Sequence, residues 1–150
     1  MAIVDLYAGV GYALELLARS EYHRTRKLGD YFRAEILPAL WCGQFRFHVT
    51  DKWVPTAMVT WAWLSREVER EVHATGRALL QNEWKCGNRL FINDWIAPYG
   101  NIRALTHDIG NNVFPDDVAT SLRRNPDGSV RRVCRWIGSH RRKANAEGAK

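Results

Sequence analysis

The hydrophobic period of this chain changes near residue 44, and that change limits the folds open to it. From Ile3 to Leu17 the apolar side chains recur every three or four residues, as on one face of an α-helix. From Phe45 to Val49 they alternate with polar residues, which is the pattern of a half-buried β-strand. A chain that uses both periods predicts a layered fold in which helices cover a sheet.

The same patterns predict a mixed order of helices and strands along the chain. Pro38 falls near the end of the second helix, Ser65 can cap a later one, and a PDG turn precedes the last strand. We predict helices over 3–18, 29–40, 66–81, 101–113 and 116–124, and strands over 45–49, 54–64, 89–97 and 130–138. This order indicates an α/β domain over 1–138, with a mixed and mostly antiparallel sheet flanked by helices. A loose, flexible basic tail is expected over 139–150.

The charge of the chain is unevenly spread. The formal net charge is +6, and between Arg123 and Lys143 eight basic residues face one acidic residue, Asp127. A basic face predicts an acidic partner such as nucleic acid, anionic lipid or an acidic protein. A solvated surface without a partner explains the same pattern.

The cysteine spacing and the hydropathy favour a cytoplasmic protein. Cys42, Cys86 and Cys134 are odd in number and form no CxxC pair, which is typical of reduced thiols. No apolar run approaches the roughly 18 to 20 residues of a membrane span. The first residues carry Asp5 and lack the basic stretch of a secretory signal. We therefore expect no integral membrane association.

One carboxylate lies among large apolar neighbours in a predicted strand. In FINDWIAPYG, residues 91–100, Asp94 is followed directly by Trp95. Burying a carboxylate is costly unless it has a partner or a task. The structural explanation is an ion pair with Arg89 or Arg103, and the functional one is a carboxylate that orients a catalytic group.

The start of the chain offers a different motif. IVDLYAGVG, residues 3–11, combines an apolar run, an Asp and G-x-G, which is similar to the opening motif of class I methyltransferases. The same residues fit an amphipathic helix. A small methyltransferase using adenosylmethionine is therefore one alternative function. A basic nucleic-acid-binding module, based on the C-terminal arginines, is another.

Three further segments carry a more extensive resemblance. SEYHR at 20–24, VTWAWLSREVE at 59–69 and EWKCGNRLFINDWIAPYG at 83–100 follow one another in this order. In order and spacing they resemble the RTX-toxin-activating lysine acyltransferases, the haemolysin-activating family. The resemblance runs from about Gly11 to Gly138, and DWIAPYG is its most specific part.

The resemblance implies a fold similar to the Gcn5-related acetyltransferases and a definite reaction. Members of the family are cytoplasmic enzymes that move a fatty acyl chain from acyl carrier protein to internal lysines of an RTX-type protoxin, which activates the toxin. Acyl carrier protein and the protoxin are the implied partners, with no nucleic acid and no cofactor besides the acyl donor. Family members form dimers, so a homodimer is expected.

The resemblance also assigns roles to residues. Its catalytic pair corresponds to His23 and Asp94, and Ser20 corresponds to a serine linked to activity. Glu35 stands where relatives carry an asparagine, and Cys86 and Asn88 depart from a serine and an acid, respectively. These departures leave the preferred acyl chain open.

The implied residues suit the chemistry of lysine acylation. A free lysine has a pKa near 10.4, so attack on a thioester near neutral pH needs a base. Histidine is suited to that role, and a carboxylate can fix its tautomer and stabilise the imidazolium. Direct attack by His23, giving an acyl-imidazole, is the alternative mechanism.

We expect the substrates to contact further residues around the catalytic pair. Tryptophans would line the acyl channel, although core packing also explains them, and arginines would steer the acidic carrier protein. The predicted substrate-binding residues are Arg24, Glu35, Trp61, Trp95, Arg123, Arg124 and Arg132.

Overall fold

A computed structural model describes residues 5–149, so Ile3 at the start of the predicted first helix lies outside the described residues. The helices are α1 (Leu6–Arg19), α2 (Leu28–Tyr31), α3 (Leu37–Cys42), α4 (Arg66–Thr75), α5 (Ile102–Asp108) and α6 (Ser139–Gly148). The strands are β1 (Phe45–Val49), β2 (Pro55–Leu64), β3 (Arg89–Ile96), β4 (Val118–Arg124) and β5 (Val130–Ile137). π-Helical segments at Phe32–Ile36 and Ile109–Val113 join α2 to α3 and extend α5, and a short 3-10 turn covers Gln81–Glu83.

The strands form a single sheet in the order β1-β2-β3-β4-β5. Neighbouring strands are antiparallel except for β3 and β4, which are parallel. The parallel pairing consists of Leu90 opposite Ala119 and Phe91 opposite Thr120. Beyond these two pairs β3 and β4 diverge, and the sheet opens into a gap at their carboxyl ends. The predicted α/β class is confirmed, and the arrangement is consistent with a Gcn5-like acetyltransferase fold.

Both faces of the sheet are covered by apolar cores. Met58 of β2 lies in one core with Leu16 of α1 and Ile36. Its neighbour Val59 lies in another core with Leu105 of α5. Neighbouring residues of a strand point to opposite faces, so a strand covered on both sides must be apolar nearly throughout. This explains the long hydrophobic run of β2.

Two predicted helices differ from the structure. The helix predicted over 116–124 is wrong, because these residues contain β4, whose backbone pairs with β3 and β5. The helix predicted over 66–81 ends at Thr75, because Gly76 adopts a left-handed conformation with φ of 71°. Glycine does so at little cost and commonly ends a helix in this way.

The end of the chain is helical where a loose tail was expected. α6 begins next to Gly138, whose amide donates to the carbonyl of Asp117 at 2.9 Å. The amide of His140 donates to the carbonyl of Pro115, also at 2.9 Å. These bonds fix the start of α6 against the segment before β4. No helix between residues 5 and 149 is long and apolar enough to cross a membrane.

Asp108 joins the end of α5 to the edge strand β1. Its carboxylate accepts hydrogen bonds from Arg46 Nε at 2.6 Å, from His48 Nε2 at 2.9 Å and from Asn112 Nδ2 at 2.8 Å. Burial by itself raises the pKa of Asp108, but the hydrogen bonds from Asn112, His48 and Arg46 hold it at about 2. The folded state therefore stabilises the ionised carboxylate.

We expect Asp108→Asn to lower the free energy of unfolding at pH 7 by about 2 kcal/mol. The ordinary pKa of 3.8 falls to about 2 on folding. This contribution is therefore complete above the unfolded pKa and is lost as the pH falls towards the folded one. Urea denaturation at several pH values would measure it, with Glu147→Gln on the exposed surface of α6 as the control. A destabilisation by Asp108→Asn that does not shrink with falling pH would contradict the explanation.

Candidate active site

The polar segment after α1 folds into a compact turn that carries His23. The amides of His23 and Arg24 donate to the carbonyl of Ser20 at 3.1 and 2.9 Å. The turn places the two side chains of the Ser-x-x-His motif together, and Ser20 Oγ lies 2.6 Å from His23 Nδ1. A local backbone turn thus fixes one side of the imidazole ring.

A β-bulge in β3 turns two adjacent polar side chains towards the same side. Thr60 of β2 is opposite Asp94, but the next residue, Trp61, is opposite Ile92, so Asn93 is an extra residue in β3. In a regular strand Asn93 and Asp94 would point to opposite faces. A bulge redirects side chains, and both residues line one cavity as a result.

Asp94 and His23 contact each other at the wall of this cavity. His23 Nε2 lies 3.0 Å from each carboxylate oxygen of Asp94. The two side chains are only 3% and 11% exposed, so the pair is largely shielded from water. Arg89, the structural partner considered from the sequence, instead donates to Glu69 at 2.6 Å. The buried acid of β3 is therefore the partner of a histidine.

Tyr31 supports the carboxylate of this pair. Its hydroxyl donates a hydrogen bond to Asp94 Oδ2. Burial, together with the charge of Asp94, raises the pKa of Tyr31 far above its ordinary value. The phenol therefore stays protonated and remains a hydrogen-bond donor.

Glu35 places a second carboxyl group beside Asp94. Its Oε2 accepts a hydrogen bond from Asn93 Nδ2 at 2.7 Å. Burial raises the pKa of Glu35, the hydrogen bond from Asn93 opposes this, and the charge of Asp94 adds to the increase. The acidic wall of the cavity thus consists of two carboxyl groups in different environments.

The hydrogen bonds define the tautomer of His23. An ionised carboxylate only accepts hydrogen bonds, so His23 donates to Asp94 from Nε2. Nδ1 then carries the lone pair and accepts the hydroxyl proton of Ser20. In this arrangement His23 can take up a proton at Nδ1, and Asp94 stabilises the imidazolium that results.

The cavity around this cluster lies at the gap between β3 and β4. We call it the polar cavity, and its volume is about 610 Å³. Besides Glu35 and Asp94, its charged lining residues are Arg26, Arg123, Arg124 and Arg131. It therefore combines an acidic wall with a basic border.

Comparison with known proteins identifies the family. The RTX toxin acyltransferase family matches residues 4–137, which is most of the chain. The chain belongs to this family. The leukotoxin-activating lysine-acyltransferase LtxC of Aggregatibacter actinomycetemcomitans is 32% identical over 129 residues, covering 86% of this chain and 75% of LtxC. The protein-lysine palmitoyltransferase CyaC of Bordetella bronchiseptica is 32% identical over 136 residues, covering 89% and 72% of the two chains.

A third relative has no assigned activity. An uncharacterised protein of Synechocystis is 31% identical over 94 residues. The alignment covers 62% of this acyltransferase-family chain and 64% of the Synechocystis protein. In each of these three relatives, a quarter or more of the relative's own length lies outside the alignment.

Most of the predicted site residues of this acyltransferase-family protein lie around one cavity. They are Ser20, His23, Glu35, Asp94, Trp95, Arg123 and Arg124, all of which line the polar cavity. Their individual roles remain predictions. The proximity of Ser20, His23 and Asp94 is the geometry that a catalytic role requires.

Three predicted substrate-binding residues lie elsewhere. Trp61 lines neither large cavity, is 9% exposed, and its ring packs in the core 5.1 Å from that of Phe114. Arg24 is exposed and lines a smaller cavity of about 150 Å³, which shares His23, Arg26 and Tyr31 with the polar cavity. Arg132 is exposed on β5, opposite Arg123 in the strand register, and does not line the polar cavity.

Two residues of the cluster, Tyr31 and Asn93, are not among the predicted site residues. Tyr31 lies within the predicted helix over 29–40, and the hydroxyl of a tyrosine that is largely buried usually needs a partner. Asn93 adjoins Asp94, and regular strand alternation places it on the other face. The hydroxyl group of Tyr31 is thus a feature of the sequence that could have indicated its role, whereas nothing in the sequence indicates the bulge.

The methyltransferase-like motif forms a helix. Asp5 caps α1 by accepting a hydrogen bond from the amide of Ala8 at 2.8 Å, and Gly9 and Gly11 lie within the helix. Ile3 and Val4 are outside the described residues. For residues 6–11 the predicted alternative of a cofactor-binding loop is therefore wrong.

Proposed function

We propose that this chain is a protein-lysine acyltransferase that takes a long fatty acyl chain from acyl carrier protein and transfers it to internal lysines of an RTX-type protoxin. The observation that carries the proposal is His23 held between Ser20 and Asp94 beside the polar cavity. Relatives named as a leukotoxin-activating lysine-acyltransferase and a palmitoyltransferase support the reaction class.

The transfer joins the lysine Nζ to the thioester carbon and breaks the carbon–sulfur bond. The lysine ammonium loses one proton to solvent and becomes a neutral amine. The amine nitrogen loses a second proton during the transfer, and the departing sulfur gains one. Ser20 lines the polar cavity and its Oγ lies 2.6 Å from His23 Nδ1, so its hydroxyl can pass this second proton to the ring. Asp94 stabilises the imidazolium, which then protonates the thiolate. Proton transfer through Ser20 and His23 avoids both a positively charged amide nitrogen and a free thiolate.

The hydrogen bonds of His23 favour direct transfer over an acyl-imidazole. Its two ring nitrogens are engaged by Ser20 and Asp94. Attack by Nδ1 on the thioester would first require the bond to Ser20 to break. Attack by Nε2 would require separation from Asp94. Direct attack by the lysine amine keeps both bonds in place.

Intact mass spectrometry tests the proposed reaction. The purified protein is mixed with palmitoyl–acyl carrier protein and the protein encoded by the neighbouring gene as acceptor. We expect loss of the palmitoyl group from the carrier and an equal mass gain on lysines of the acceptor. If the carrier loses its palmitoyl group no faster than in buffer alone, the proposal is rejected.

We further propose acyl carrier protein as the only cosubstrate besides the acceptor, a homodimer as the active form and the cytoplasm as the site of reaction. The basic border of the polar cavity supports the choice of carrier protein, which is strongly acidic. Arg123 and Arg131 are exposed and line this cavity. Complementary charge accelerates encounter more than it strengthens binding.

Replacing Arg123 and Arg131 together by serine is expected to lower kcat/KM for the carrier about tenfold at low salt. The difference from the wild type should shrink as salt screens exposed charges. Arg66 and Arg70, exposed on α4 and lining neither large cavity, provide a matched double-serine control. A loss that is the same at every salt concentration would contradict steering.

A further inference from the structure

A second large cavity lies beside β3 and β4, under α5. We call it the apolar cavity, and its volume is about 520 Å³. Apolar side chains form much of its wall, namely Leu90, Ile92, Ile109, Phe114, Ala119 and Ile137. The basic residues on its lining, Arg103, His107, Arg135 and Arg142, are exposed, and one acid, Asp117, is half-buried. The charged groups therefore lie towards solvent and the interior is hydrophobic.

The apolar cavity adjoins the polar cavity across the gap in the sheet. Ile92 and Trp95, on either side of Asn93 and Asp94 in β3, line both cavities. β3 and β4 share no backbone pairing beyond Phe91, so side chains form the partition there.

Aromatic side chains make up part of this partition. The Trp95 ring lies 5.4 Å from that of Trp136 on β5. Trp136 Nε1 donates to Ser121 Oγ at 2.7 Å, and Ser121 lines the polar cavity. Side chains of β3, β4 and β5 thus meet between the two spaces.

We propose that the apolar cavity holds the aliphatic chain of the acyl donor, with the thioester at the Asp94 end of the partition. The inference rests on the proposed function, because it assigns a place to the donor of that reaction. An alkyl chain has no polar atoms, so its burial against apolar walls is favourable. The volume also falls within the roughly 300 to 1,000 Å³ of typical ligand pockets.

The polar cavity is unsuited to that chain. An alkyl chain there would take water from Glu35, Asp94 and the surrounding arginines without replacing its hydrogen bonds. The same charged groups suit a lysine ammonium and the acidic carrier protein. The two cavities therefore divide the substrates, with the hydrocarbon in one and the charged partners at the other.

Gly110 allows the apolar cavity to be filled without disturbing the backbone. It lines the cavity, and a Cβ added at Gly110 meets no other atom within 4 Å. Its φ is not in the left-handed region. Gly110→Leu therefore adds a branched side chain at the wall of the cavity without a clash at its Cβ, and Gly110→Ala is the matched control.

The test compares palmitoyl and butyryl donors on acyl carrier protein. We expect Gly110→Leu to lower kcat/KM for the palmitoyl donor about 10- to 100-fold relative to Gly110→Ala. The butyryl donor should react at the same rate with both variants, because Gly110 lines the apolar cavity and not the polar cavity with the catalytic cluster. Equal rates with the palmitoyl donor, or equal losses with both donors, would overturn the inference.

A second measurement uses the wild-type protein, so it does not depend on how the variants fold. The carrier is loaded with a palmitoyl analogue that has a photoreactive diazirine at its terminal carbon. After illumination, labelled peptides are expected within 103–119 and 135–142. Labels confined to 20–42 would overturn the inference. If the wild type acylates no lysine, the proposed function fails, while the label still locates the bound chain.

Discussion

Replacing His23 by alanine is expected to lower the rate of lysine acylation by about 10³- to 10⁴-fold. The imidazole is the group in the cluster that can accept the Ser20 proton, since Nδ1 lies 2.6 Å from Ser20 Oγ. Tyr31 instead donates to Asp94 and remains protonated because its pKa is raised by burial and by that charge. Single-turnover rates with saturating palmitoyl–acyl carrier protein, followed by intact mass, would measure the loss.

His140 and Asp116 provide a matched control for this change. His140 Nδ1 lies 2.9 Å from Asp116 Oδ1, but the two side chains are 59% and 75% exposed. His140→Ala removes the same kind of pair from the surface, and we expect no change in rate. The melting temperature of both variants should be recorded, because His23 is buried. A folded His23→Ala variant as active as His140→Ala would exclude His23 from the reaction.

Asp94→Asn is expected to lower kcat by about 10³-fold while the fold is kept. An amide nitrogen facing His23 Nε2 would donate a hydrogen bond and favour the other tautomer. Nδ1 would then carry the proton and could not accept one from Ser20. The hydroxyl of Tyr31 and the acidic wall with Glu35 would remain in place. The change therefore alters the direction of proton transfer more than the shape of the cavity.

The pattern of kinetic constants distinguishes this role from simple binding of the lysine. A carboxylate that orients and stabilises His23 should affect kcat much more than KM for the acceptor. Asp116→Asn, in the exposed pair, should change neither constant. A raised acceptor KM with an unchanged kcat would show that Asp94 binds the lysine and does not control the histidine.

The accuracy of the predicted strands follows from local sequence pattern. β1 was predicted over 45–49 and spans Phe45–Val49, because its alternation is strict and both of its ends are marked by turns. β4 was predicted as a helix, because its short segment has no decisive period. Its conformation is determined by pairing with β3 and β5, which come from other parts of the chain.

The candidate site was predictable to the extent that it rests on motifs. Ser20 and His23 are three residues apart, and their contact needs only a local turn. Their meeting with Asp94, 71 residues from His23, came from the family resemblance and not from any period in the sequence. The side chain of Asn93 reaches the site because of a bulge in β3. Tyr31 lies at the junction between α2 and a π-helical segment. Such local departures from regular geometry arise from tertiary packing.

The brief parallel pairing of β3 with β4 has a mechanical consequence. Strands β1 to β3 form one group and strands β4 and β5 another, and within each group neighbouring strands pair over most of their length as antiparallel ladders. Two residue pairs, Leu90 with Ala119 and Phe91 with Thr120, connect them as a hinge. A change in the angle between the two groups would alter the width of the gap without breaking a backbone hydrogen bond within either group. The width of this opening therefore rests on two backbone pairs and on side-chain packing, such as that of Trp95 against Trp136, and not on a full ladder of hydrogen bonds.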